Sequence, residues 1–109
     1  MKPELAAILD HYFAAQNALD AEAMAACFSP DARVRDEGQD YVGRGAILEW
    51  KRTTIAKYGI SIEPFEVSDA EGSTIVVARV AGNFPGSPAN LTYDFGFSSD
   101  SLIDMLEIH

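Results

Sequence analysis

Hydrophobic spacing changes character along this chain near Gly59, and that change fixes the fold class. Before Gly59 most apolar side chains recur every three or four residues, and after it they alternate. The first spacing builds helices and the second builds strands. Residues 3–18 place Leu5, Ile8, Leu9, Tyr12, Phe13 and Gln16 on one helical face, with Pro3 tolerated in the first turn. Asp20 suits an N-cap and Glu22 the positive end of the helix dipole. A short second helix then buries Met24, Cys27 and Phe28, and "SPD" at 29–31 stops it. A third helix is predicted from about Gly45 to Tyr58. Its inner face is Ala46, Ile47, Trp50 and Thr54, and Gly59 makes a left-handed cap.

The strands follow. Ile60, Ile62, Phe65 and Val67 switch inward parity around Pro64, which predicts a bulge in a strand over 60–68. "STIVVARVAGNF" at 73–84 is a β-branched run, and "PGSP" at 85–88 is a turn. "ANLTYDFGF" puts Leu91, Tyr93, Phe95 and Phe97 on one side, and "LIDMLEI" supplies the last strand. Only a brief strand at 32–36 precedes the third helix, and "DEGQDYVGRG" reads as a loop. Segregated helices and strands mean an α+β fold, a single domain over 1–109. The expected shape is a cone, a curved antiparallel sheet wrapped around three helices, whose mouth suits a small molecule.

Seventeen acidic side chains against 8 basic ones give a net charge of -9. That balance excludes nucleic acid and anionic membranes as expected partners, because both need a basic surface. Cys27 is the only cysteine, and His11 and His109 stand at opposite ends of the sequence. Neither a disulfide nor a cysteine zinc cluster can form within the chain, and no metal or other cofactor is expected. "MKPELAAILDHYF" lacks the features of a signal peptide, and no apolar run reaches membrane-spanning length. The cytoplasm is the default compartment.

One stretch poses a chemical question. In "ARVRDEG" at 32–38, an extended backbone puts Val34 and Asp36 on one side and Arg33 and Arg35 on the other. A valine ordinarily faces inward, so a carboxylate accompanies it. Tyr12 lies on the apolar face of the first helix, and Tyr93 is in register with Leu91, Phe95 and Phe97. All three polar groups are expected in one interior. A carboxylate in a partly dry pocket becomes a usable base near neutrality, and a phenol O–H aimed at a carbonyl oxygen stabilises the developing enolate. Val34, Trp50, Phe95, Phe28 and Phe13 are the expected apolar walls. Structural readings stand beside these. Tyr12, Tyr93 and Trp50 fit an ordinary aromatic core, and Asp36 could instead cap a turn or pair with Arg44 or Arg33. Arg79 and Asp104 are each open between the interior and the surface.

The segments "YFAAQNALDAEAMAACFSPDARVRDEG", "YVGRGAILEW", "GNFPGSPANLTYDFGF" and "DSLIDMLEI" resemble the nuclear transport factor 2-like superfamily. That superfamily, also described as cystatin-like in fold, includes SnoaL-like polyketide cyclases and ketosteroid isomerases. The resemblance implies the cone. Ketosteroid isomerases use a tyrosine on the first helix, an aspartate on the first strand and a second acid on a late strand. These positions fall on Tyr12, Asp36 and Tyr93, so the third has changed from acid to phenol. Glu37 stands where those enzymes tend to have proline, and a steroid substrate does not follow. The implied activity is a cofactor-independent isomerase, cyclase or dehydratase acting on an apolar carbonyl compound. The alternatives are a non-catalytic module that binds a ligand in the same cone, and a dimerisation module whose cone is filled by its own aromatic side chains. Members commonly pair through the outer sheet face, so a homodimer is expected.

Overall fold

The structure is a computed structural model and describes residues 6–70 and 72–109. Among these residues three helices pack on one face of a six-stranded sheet ordered β2-β1-β6-β5-β4-β3. The predicted first-turn positions Pro3 and Leu5 lie outside the described residues.

Helix α1 (Ala7–Asn17) buries Leu9, Tyr12, Phe13 and Gln16, following the predicted stripe, and leaves His11 exposed. Helix α2 (Ala21–Ala26) begins as expected at Asp20, whose carboxylate accepts the Ala23 N–H at 3.1 Å. It ends earlier than predicted. Phe28 already opens strand β1 (Phe28–Asp36), which runs straight through "SPD". Pro30 is tolerated there because the pairing of β1 with β6 shifts register between Phe28 and Arg33, where a missing N–H breaks no ladder bond.

The stretch read as a loop holds strand β2 (Gln39–Val42). Asp36 pairs with Gln39 across a two-residue turn, Glu37 (φ 53) and Gly38 (φ 76). Two left-handed residues match the twist of the flanking strands and close a tight hairpin. Strand β2 has four residues, of which only Tyr41 is half-buried, so it carries no alternating pattern. Helix α3 (Arg44–Tyr58) ends at Gly59 in the predicted left-handed conformation (φ 54, ψ 49). Its inner stripe is Ile47, Trp50 and Lys51, while Ala46 is exposed, so the helix is rotated relative to the expectation.

Strands β3 (Ser61–Ala70), β4 (Ser73–Ala81), β5 (Ala89–Phe97) and β6 (Ile103–Ile108) form the expected antiparallel meander. The sheet as a whole is not purely antiparallel, because β6 also pairs with β1 in parallel. The bulge predicted at Pro64 lies between Pro64 and Glu66. It takes Phe65 out of the ladder and leaves that ring 47% exposed, not inward as expected. Arg79 is exposed on the outer face, between the inward Ala78 and Val80. Asp104 also belongs to the outer side, where a Cβ on Gly96 would meet its carboxylate at 3.1 Å. The inner face carries Val34, Leu106, Phe95, Tyr93 and Val76 against Tyr12, Phe13, Met24 and Ile47. No described helix is long and apolar enough to cross a membrane.

Candidate active site

Asp36 occupies the last position of β1, two residues beyond the fully buried Val34, and is half-buried. The hairpin turn that follows fixes the carboxylate at the rim of the inner face. Neither arginine considered as its partner holds it. Arg44 gives its guanidinium to the Phe28 carbonyl at 2.6 and 3.1 Å, and Arg33 is exposed. Burial pushes the Asp36 carboxyl above the usual carboxylate range, and the nearby Glu37 charge adds to this. Lys51, the Trp50 side chain and the Glu37 backbone N–H pull it partly back.

Tyr12 sits at the bottom of the inner face with no exposed surface. The rings of Phe13, Phe28 and Phe95 meet it edge-on at 5.4, 5.6 and 5.8 Å. Its hydroxyl is buried and has no hydrogen-bond partner among the described residues. Burial, then the neighbouring Tyr93 and Asp36, raise its pKa well above that of a free phenol. Tyr93 is 5% exposed, and burial and Asp36 push its phenol up as well. Both phenols therefore stay protonated, as donors, throughout the neutral range. Asp36 acts electrostatically on Tyr12, Tyr93 and Lys51 alike, so the four groups share one region of the interior.

Lys51 is the residue that sequence reasoning missed. Only 4% of it is exposed. Its ammonium lies 4.1 Å from the centre of the Trp50 ring and 4.9 Å from that of Tyr12, with Gln16 Oε1 at 3.4 Å. Burial brings its pKa down to about 7, against the Asp36 charge, which holds it up. Its spacing was the available signal. Lys51 follows Ile47 by one helical turn and lies on the stripe that continues to Thr54, where a long aliphatic stem can be buried.

The expected apolar walls divide into two groups. Phe13, Phe28, Phe95 and Val34 are buried and pack on Tyr12 or its neighbours. Trp50 is buried as well, but it stacks on Tyr41 at 5.3 Å and also lines an outer groove. That groove, about 520 Å³, runs between α3 and the β1–β2 hairpin and is lined by Glu37, Tyr41, Trp50, Thr54 and Tyr58. Trp50 thus stands between the groove and the Lys51 ammonium. Among the described residues no group of three acidic, histidine or cysteine side chains is placed to hold a metal.

The model of the SnoaL-like domain matches residues 9–98. The chain belongs to the SnoaL-like family. Among solved structures, this SnoaL-like protein is similar to a Sinorhizobium meliloti protein given the provisional name polyketide cyclase. The two are 38% identical with a TM-score of 0.90, over 96% of this chain and 95% of that one. SalBIII, an epoxide hydrolase/cyclase-like enzyme of pyran ring formation in the polyether salinomycin, is 22% identical with a TM-score of 0.81. That match covers 93% of this chain and 85% of that one. A Catenulispora acidiphila protein with a ketosteroid isomerase-like fold, solved in complex with trimethylamine, is 20% identical with a TM-score of 0.82. There the coverage is 100% and 86%. The last two likenesses show a common fold alone. No curated protein matches the SnoaL-like chain.

Proposed function

We propose that this SnoaL-like domain binds a small apolar carbonyl compound and moves a proton on it, using chemistry its own side chains supply. Asp36 takes a proton from the carbon next to the carbonyl, and Tyr12 and Tyr93 donate hydrogen bonds to the oxygen that becomes negative. The observation that carries this reading is the pairing of a desolvated carboxylate with a buried, unpartnered phenol in one interior. The polyketide cyclase name of the Sinorhizobium meliloti relative is consistent with enolate chemistry.

The test is deuterium exchange into 2-tetralone, a flat enolisable ketone, in heavy water, followed by mass spectrometry. Wild type should accelerate exchange, and Asp36→Asn should lower the rate by about 10²–10⁴-fold without altering the circular dichroism spectrum. Equal rates for the two would remove the carboxylate from the mechanism. A second reading, a dimerisation or scaffold domain whose cone is filled by its own side chains, is favoured by the ring packing that fills the space around Tyr12. It predicts neither stabilisation by 2-tetralone nor exchange. We also propose that two copies pair through the outer sheet face. That face exposes Met105 and carries half-buried Ile75 and Val77, and one Asp94 carboxylate oxygen is buried there without a partner among the described residues.

A further inference from the structure

The ammonium of Lys51 can donate three hydrogen bonds. Among the described residues it makes one, to Gln16 Oε1 at 3.4 Å, at the long limit for such a bond. Gln16 cannot swing closer without cost, because its amide N–H₂ is tied to the Ile60 carbonyl at 3.2 Å. No carboxylate among the described residues lies within 4.0 Å of Lys51. Asp36 acts on it only through space. The remaining surroundings are aromatic faces, Trp50 and Tyr12, and the Tyr12 ring ends in the unpartnered hydroxyl. Two strong donors, both more than nine-tenths buried, are therefore left with capacity to spare in the same interior.

We infer that Lys51 is the specificity-determining residue of this site, its Nζ and the Tyr12 O–H together taking the negative oxygen of an apolar monoanion. The tightest ligand is thus an acid or an acidic enol, charged as the enolate of the proposed reaction is, rather than its neutral ester or amide. Flat apolar bodies suit it, because the aromatic faces that flank the ammonium would flank the ligand too. The inference deepens the small-molecule reading above and rests on it. It also adds a cation to the proposed proton transfer. As Asp36 removes the proton, charge moves onto an oxygen that Lys51 already faces.

The groups facing Lys51 set the sign of its pH response. Tyr12 from α1 faces it and stays neutral, as does Tyr93 from β5 beside Tyr12, and Asp36 from β1 opposes a bound anion whenever it is ionised. Lys51 itself is cationic below about pH 7 and increasingly neutral above it. Anion affinity is therefore highest on the acid side and falls as pH rises.

Calorimetry with 1-naphthoate and its neutral counterpart 1-naphthamide tests this on the full chain. At pH 6 wild type should bind naphthoate about tenfold more tightly than the amide, the equivalent of one favourable charge contact. Lys51→Met should erase that preference and Lys51→Arg should retain most of it. Between pH 6 and 9 naphthoate affinity should fall while amide affinity holds, and wild type should take up protons on binding naphthoate at pH 8. The pH series and the proton uptake need only wild type, so they decide the matter even if the methionine variant fails to fold. Equal affinity for the two probes, or a flat profile for naphthoate, overturns the role of Lys51 and leaves the small-molecule reading intact. Binding of neither probe overturns both.

Discussion

Tyr12 ends in a buried hydroxyl with no partner among the described residues, enclosed by the rings of Phe13, Phe28 and Phe95. An unsatisfied buried donor costs about 1–3 kcal/mol, and replacing it with hydrogen leaves the ring packing untouched. Tyr12→Phe should therefore raise stability by about 1 kcal/mol, read as a higher urea midpoint at unchanged slope. The same variant should weaken the exchange reaction described above. A loss of stability would show that the hydroxyl has a structural partner instead, and undiminished exchange would remove it from the reaction. Lys51 has the same double character. A buried amine beside aromatic faces is a poor choice for a core and a good one for holding charge. At this scale Tyr12, Asp36 and Tyr93 were legible because each sat in a clear periodic pattern. Lys51 was not, because a lysine reads as surface by type and only its turn-by-turn spacing from Ile47 says otherwise.

Among the elements, the joint between α3, β3 and the end of β4 is closely packed. A Cβ on Gly82 would stand 2.8 Å from the Tyr58 carbonyl oxygen and 3.3 Å from the Ile60 Cα, both backbone atoms. Backbone cannot rotate aside as a side chain can. Gly82→Ala should thus destabilise the domain by about 1–3 kcal/mol, seen as a lower thermal midpoint, although alanine is ordinarily the milder residue in a strand flank. An unchanged midpoint would mean that the joint yields. Secondary structure followed the sequence wherever a run was long enough to repeat its period, as in α1, β4 and β5. It departed in short pieces. Strand β2 is held by pairing with β1 and by a turn of two left-handed residues, not by its own pattern. Helix α2 gives way to β1 at Phe28 because that residue pairs with Ile103, 75 positions further along the chain. Such a contact leaves no local trace.

For the molecule as a whole, the feature to test is the proposed pairing of two copies through the outer sheet face. Ile75 and Val77 are half-buried on it, Met105 is 40% exposed, and charged Arg79 and Glu107 surround them. If two copies pair there, light scattering should give twice the 11.8 kDa chain mass, and Val77→Lys should halve it. A monomer at millimolar concentration would end that proposal. The overall class was readable because helical and alternating segments are so cleanly parted. The parallel pairing of β1 with β6 was not, since no periodicity announces which distant strand a segment will meet.

That pairing carries a consequence for how the protein comes into being. Strand β6 lies between β1 and β5, so within the sheet the early hairpin reaches β5, β4 and β3 only through Ile103–Ile108. A ribosome must therefore release nearly all of this domain before the sheet can be completed. Until then each half exposes an open edge, the condition in which nascent chains most need shelter from one another.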